Sequence, residues 1–301
     1  MTKLARFAWI TLGVNIVTII GGMVVRSTGS GAGCGRSWPR CQGEVIPGFG
    51  EVETVIEFSH RAVSGLALLA VMALVVWVFR TEVKGSQRRM AALTTGVAII
   101  IEALLGAWLV LAELVADDAS VMRAISVPVH LVNTFFLLGA LTVTAWLLSG
   151  DRTFRWQGPD RRMISLGVLG LVLIGASGAV TALAGTLFPS ESFAEGFARD
   201  FDATSHFLTR LRILHPIVAI LSGVYLMTQA QRRKDVAPRL ATSITGLVAV
   251  QWGVGFLNVV TLTPLAAQVI HLLLADLLLV AWVLFATELM QDADSRDSVE
   301  V

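Results

Sequence analysis

The stretch VIEFSHRAVSGLALLAVMALVVWVFR, residues 55–80, decides the fold class. It carries no charged side chain from Ala62 to Phe79, and a helix needs about 20 apolar residues to cross roughly 30 Å of hydrocarbon. The run is apolar around its whole circumference, which suits a helix in lipid better than a soluble amphipathic one. Glu57, His60 and Arg61 stand at its polar mouth.

Seven further stretches read in the same way, at approximately 7–25, 91–111, 125–148, 163–183, 211–230, 241–261 and 267–289; with 60–79 they make eight. The whole chain agrees: 301 residues with 55% hydrophobic residues, 15% charged and a mean hydropathy of +0.73 exclude an ordinary soluble domain. The formal charge of +1 gives no electrostatic case for nucleic acid as a partner, and membrane lipid is the expected surrounding. The expected fold class is therefore an all-α integral membrane protein with eight transmembrane helices.

Cytoplasmic loops hold an excess of Lys and Arg. Lys3 and Arg6, the loop at Arg80–Arg89, the loop at Arg152–Arg162, the loop at Arg232–Arg239 and Arg296 carry most of the basic residues. Arg26, Arg36, Arg40, Arg61, Arg123, Arg199, Arg210 and Arg212 fall on the other side. Both termini are expected to be cytoplasmic, in a multi-pass cell-membrane protein. The first span lacks a small-residue cleavage site and is expected to remain as a span. Cys34 and Cys41 both fall in the first outer loop, SGAGCGRSWPRCQG. On the oxidising side of a membrane this pair reads as a disulfide, either structural or redox-active.

The halves of the chain resemble each other. TIIGGMVVRSTGSG (18–31) runs alongside LIGASGAVTALAGT (173–186), which superimposes His60 on His215. EALLGAWLVL (102–111) matches QWGVGFLNVV (251–260), with Gly106 opposite Gly255, and His130 then has His271 as its counterpart. An even number of spans per repeat puts the pseudo-symmetry axis along the membrane normal. Two four-helix bundles, 1–155 and 156–301, are the implied architecture.

His60, His130, His215 and His271 each lie near the start of a span that runs from outside to inside. An isolated His in a soluble protein is usually a satisfied core residue, whereas an ionisable group inside a membrane is costly and functional by default. Two facing imidazoles per half are what a bis-histidine heme site requires. Zinc would call for Cys or carboxylate partners, and copper for nearby Met or Cys. His206 reads as a loop residue. Glu57 lies three residues before His60, so the two share a face if the helix extends that far back; it could exchange a proton or stabilise charge. Arg212 takes the matching place before His215 and could pair with a heme propionate. Glu102, with Gln251 as its counterpart, is expected to be neutral or paired. Asp276 reads as a packing or polar-network residue.

The motifs GGMVVRSTGSGAGCGRSWPRCQG, EFSHR and RILHP, with the His residues early in spans four and eight, resemble heme A synthase over all eight spans. That resemblance implies oxidation of the C8 methyl of heme O to a formyl group by successive hydroxylations, assisted by bound heme b, to supply heme A for cytochrome oxidase. It implies a substrate heme O site formed by the catalytic residues Glu57, His60 and His130, and heme b held by His215 and His271. All four His would ligate heme iron, and Cys34 and Cys41 would be the family's loop pair. Heme propionates would seek Arg26, Arg61, Arg210 or Arg212. A heme O synthase and cytochrome oxidase assembly proteins are the implied partners. The sequence departs from some members in having no Cys pair at 184–210. The rival readings are a bis-heme b electron carrier and a heme transporter.

Overall fold

The computed structural model describes residues 1–291, so Arg296 lies outside the described residues. Its α-helices are α1 (Lys3–Ser27), α2 (Val52–Thr81), α3 (Gln87–Leu111), α4 (Val121–Leu148), α5 (Asp160–Leu187), α6 (Phe193–Phe201), α7 (Phe207–Leu211), α8 (Leu214–Arg232), α9 (Pro238–Val260) and α10 (Leu265–Leu289). Among the described residues, eight helical stretches are long and apolar enough to cross a membrane, the sixth being α7 and α8 together. The chain is a multi-pass, all-helical membrane protein.

Several helices begin earlier than their apolar runs, because hydropathy registers only the part that sits in hydrocarbon. Side-chain caps extend the helices into polar sequence. Thr2 Oγ1 accepts the Ala5 N–H (3.1 Å), Ser86 Oγ that of Arg89 (3.4 Å) and Ser120 Oγ that of Arg123 (3.2 Å). Helix α2, which has no such cap, also starts early, at Val52, so Glu57 and His60 belong to one helix.

The sixth span differs from the sequence expectation of one unbroken helix, 211–230. It breaks between Leu211 and Leu214, and Pro216 is the cause. A proline has no N–H for the carbonyl four residues back and its ring crowds that carbonyl. The Arg212 carbonyl accepts instead from the His215 N–H (3.2 Å) and the Thr181 hydroxyl (3.4 Å). His215 therefore enters the membrane on the first turn of a new helix.

Helix α4 is the centre of the assembly. It packs on α1, α3, α5 and α10, and 61% of its apolar window is buried, against 39% for α10 and 33% for α5. In the first half α2 packs on α1 and α3; in the second α5 packs on α8, α8 on α9 and α9 on α10. Close approach relies on glycine, as is common where helices pack in lipid. The buried Trp282 ring of α10 lies on Gly167 of α5, and Phe135 of α4 lies on Gly175.

The halves are joined at both ends. On the face that carries the cysteine loop, Arg26 of α1 donates to Ala182 O (2.7 Å) and Thr186 Oγ1 (2.6 Å) of α5 and to Gln268 Oε1 (2.9 Å) of α10. On the opposite face Trp146 Nε1 donates to Glu288 Oε1 (2.9 Å) and Arg155 N donates to Met290 O (3.0 Å). A Cβ at Gly167 would stand 2.1 Å from Trp282. Gly167→Val is accordingly expected to cost about 1–3 kcal/mol by overpacking, read as a lower Tm of the solubilised protein; an unchanged Tm would show that the ring can move aside.

Candidate functional site

The four membrane histidines collect toward the face that bears the cysteine loop, because α2, α4, α8 and α10 all start there. Each ring rests on a glycine of a neighbouring helix. A Cβ added at Gly22 would come within 3.1 Å of His60, one at Gly178 within 3.0 Å of His215, one at Gly255 within 3.2 Å of His271, and one at Gly106 within 3.9 Å of His130. The absent side chains leave room for an imidazole to lie edge-on against the neighbouring helix.

His215 and His271 have ring centres 6.2 Å apart with planes at 83°. Two imidazoles sharing one metal between them need centres about 6 Å apart, since each metal–nitrogen bond spans about 2 Å and the ring centre lies roughly 1 Å beyond. His60 and His130 lie within electrostatic reach of each other. Nδ1 of His60, His130 and His271 is buried without a hydrogen bond, whereas His215 Nδ1 lies 3.2 Å from Ser177 Oγ. Among the described residues no group of three His, Cys, Asp or Glu converges. Imidazoles as the donors in each half fit a heme iron whose porphyrin supplies the remaining ligands.

Glu57 is buried, with a fractional exposure of 3%, and both of its oxygens are engaged. Oε1 pairs with Arg61 (2.5 Å) and Oε2 accepts the Cys34 N–H (2.7 Å). Cys34 and Cys41 are joined by a disulfide, and the loop they close is clamped to the start of α2. Arg61 donates to Ser37 O (2.6 Å) and Arg40 O (2.8 Å), and the Thr54 hydroxyl donates to Gly33 O (2.8 Å). Gly33 is required there, because a Cβ would lie 2.4 Å from the Glu53 carbonyl. A solvated, interfacial Glu57 is therefore not what the fold provides; the carboxylate links the disulfide loop to the helix that presents His60.

The arginines expected near propionates have other partners in three cases. Arg212 pairs with Asp200 (2.6 Å) and donates to Gly196 O (3.2 Å), which draws α6 against the turn before His215. Arg61 is held by Glu57, and Arg26 joins α1 to α5 and α10. Arg210 is exposed. His206 caps α7, accepting the Leu208 N–H (3.3 Å), and stacks on Phe188, so it is a structural loop residue.

Sequence reasoning did not place Glu102 at a site, yet its Oε1 is 3.4 Å from His130 Nδ1. Asn133 Nδ2 donates to Glu102 Oε2 (2.6 Å) and the Thr134 hydroxyl donates to Oε1. Gln251 holds the matching place: its Nε2 is 3.4 Å from a ring nitrogen of His271 and donates to His271 O (3.1 Å). The signal was present in the repeat, which already aligned Glu102 with Gln251. Asp276 is fully buried, and its carboxyl makes no hydrogen bond among the described residues, so it joins no polar network there.

Known proteins similar to this chain point to its family. The chain is 42% identical to a protoheme IX farnesyltransferase of Thermus thermophilus over 302 aligned residues, which is 98% of this chain and 50% of that protein; the chain thus spans about half the length of that relative. It is 36% identical to a heme A synthase of Exiguobacterium sp. over 151 residues, 50% of this chain and 48% of the relative. It is 45% identical to a heme A synthase of Shouchella clausii over 105 residues, 35% of each chain. The description "Cytochrome oxidase assembly protein" (COX15-CtaA) matches residues 5–283, and with nearly the whole length matched, the chain belongs to that family.

Proposed function

We propose that the chain acts as a heme A synthase, oxidising the C8 methyl of heme O to a formyl group in the cell membrane, with both termini cytoplasmic. The observation that supports this most is the pairing of imidazoles on glycine-lined helix contacts, twice over, with different polar residues behind each pair. His60 and His130 hold the iron of heme O in the N-terminal four-helix bundle, and His215 and His271 hold heme b in the C-terminal one. Bound heme b supplies one-electron redox capacity that no side chain here has.

The protein's own part is position and charge. Imidazoles fixed by their helices orient the macrocycle, while the apolar spans accept the isoprenoid tail and exclude water. Glu57, one helical turn before His60, takes up or returns a proton at the reacting methyl, and Arg61 balances its charge. Arg210, exposed at the same end, is the cation left for a propionate; Arg212 remains a prop for the turn before His215. The identity shared with half of a protoheme IX farnesyltransferase supports a heme O synthase as the partner that delivers substrate, and the family supports partners in cytochrome oxidase assembly. A bis-heme b carrier would have no use for a carboxylate beside one pair alone.

Separating the hemes extracted from purified protein by mass tests this reading. Heme b together with heme O, its hydroxylated form or heme A is expected; heme b alone would favour the electron carrier. His60→Ala is expected to lose the heme O derivatives and keep heme b, and His215→Ala the reverse. In Glu57→Gln the amide oxygen still accepts from Cys34, so the loop stays in place. Heme A formation is then expected to fall by about 10²-fold or more, in line with the loss of a general acid–base group, with both hemes still bound. Near-normal heme A content would remove Glu57 from the chemistry.

A further inference from the structure

The two imidazole pairs differ in what stands behind one ligand of each. Behind His130 is the Glu102 carboxylate, fixed by Asn133 (2.6 Å) and the Thr134 hydroxyl so that Oε1 faces Nδ1 at 3.4 Å. Beside His271, at the repeat-related place, is the Gln251 amide, whose Nε2 lies 3.4 Å from His271 Nε2, not Nδ1, and donates to His271 O (3.1 Å). A glycine lies by each ring (Gly106 and Gly255), and both histidines stand early in their helices, α4 and α10. One half thus has a carboxyl group beside its ligand where the other has an amide.

A carboxylate that accepts from the outer N–H of a metal-bound imidazole makes the ligand a stronger donor and fixes its ring orientation. Outer hydrogen bonding of this kind is one of the protein's means of setting iron potential. A stronger donor favours the more oxidised iron. A contact of 3.4 Å without metal is compatible with this, because such hydrogen bonds shorten when the site is loaded.

We propose that Glu102 is a positioning residue that makes the iron held by His60 and His130 the lower in potential, while Gln251 leaves the iron held by His215 and His271 the higher. This rests on the two-heme reading above. With a heme in each half, the N-terminal site would be the better electron donor of the two.

Redox titration of purified holoprotein, followed optically, tests the proposal, with His130→Ala used to assign the N-terminal signal. Glu102→Gln is expected to raise the midpoint potential of the N-terminal heme and leave the other unchanged. Gln251→Glu is expected to lower the C-terminal potential, and the double exchange to reverse the order. Glu102→Leu, which removes the carboxyl group beside His130 outright, is expected to weaken heme retention at the N-terminal site by about 10–100-fold. Two bound hemes whose potentials stay put in both single variants, or move together, would overturn the proposal. Should Glu102→Gln fail to fold, Gln251→Glu decides it alone. Wild-type protein with no bis-imidazole spectrum would instead overturn the two-heme reading, and the proposal with it.

Discussion

An imidazole placed in hydrocarbon needs room for its ring and a partner or ligand for its nitrogens, since an unpaired polar group there costs several kcal/mol. Much of this fold follows from meeting that demand four times. Room comes from Gly22, Gly106, Gly178 and Gly255, which let each ring lie against a neighbouring helix. Partners for the rear of the rings come from Ser177, Glu102 and Gln251. The helices that carry the histidines start at one face, so the free edges of the rings are gathered at similar depth.

The halves solve the same problem with opposite chemistry. The N-terminal half is rich in carboxylate: Glu57 under the disulfide loop and Glu102 behind His130, each held by named donors. The C-terminal half has an amide behind His271 and a cation, Arg212, before His215, and that cation is already paired with Asp200. The two halves of the chain thus offer unlike environments around their histidines. Function resides in those differences, not in the fold they share.

The eight spans were legible in the sequence because hydropathy is a local property, and a membrane makes each polar exception conspicuous. The contacts of the arginines were not. Arg212 and Arg26 read from the sequence as cations for propionates, but Asp200 lies in α6 and Gln268 lies 242 residues from Arg26, and only the folded chain brings them together. Glu102 reads from the sequence as neutral or paired but not as a neighbour of His130, since that contact depends on how α3 and α4 are rotated against each other. The break before His215 was readable in principle, because Pro216 follows it directly, but the apolar run masked the proline.

The bonds that join the halves set a mechanical limit. Arg26 spans α1, α5 and α10 at one end, and Trp146 reaches Glu288 at the other, with the buried α4 between them. Held at top and bottom, the two halves are coupled at both faces, so that opening one against the other would have to break one of these sets of hydrogen bonds.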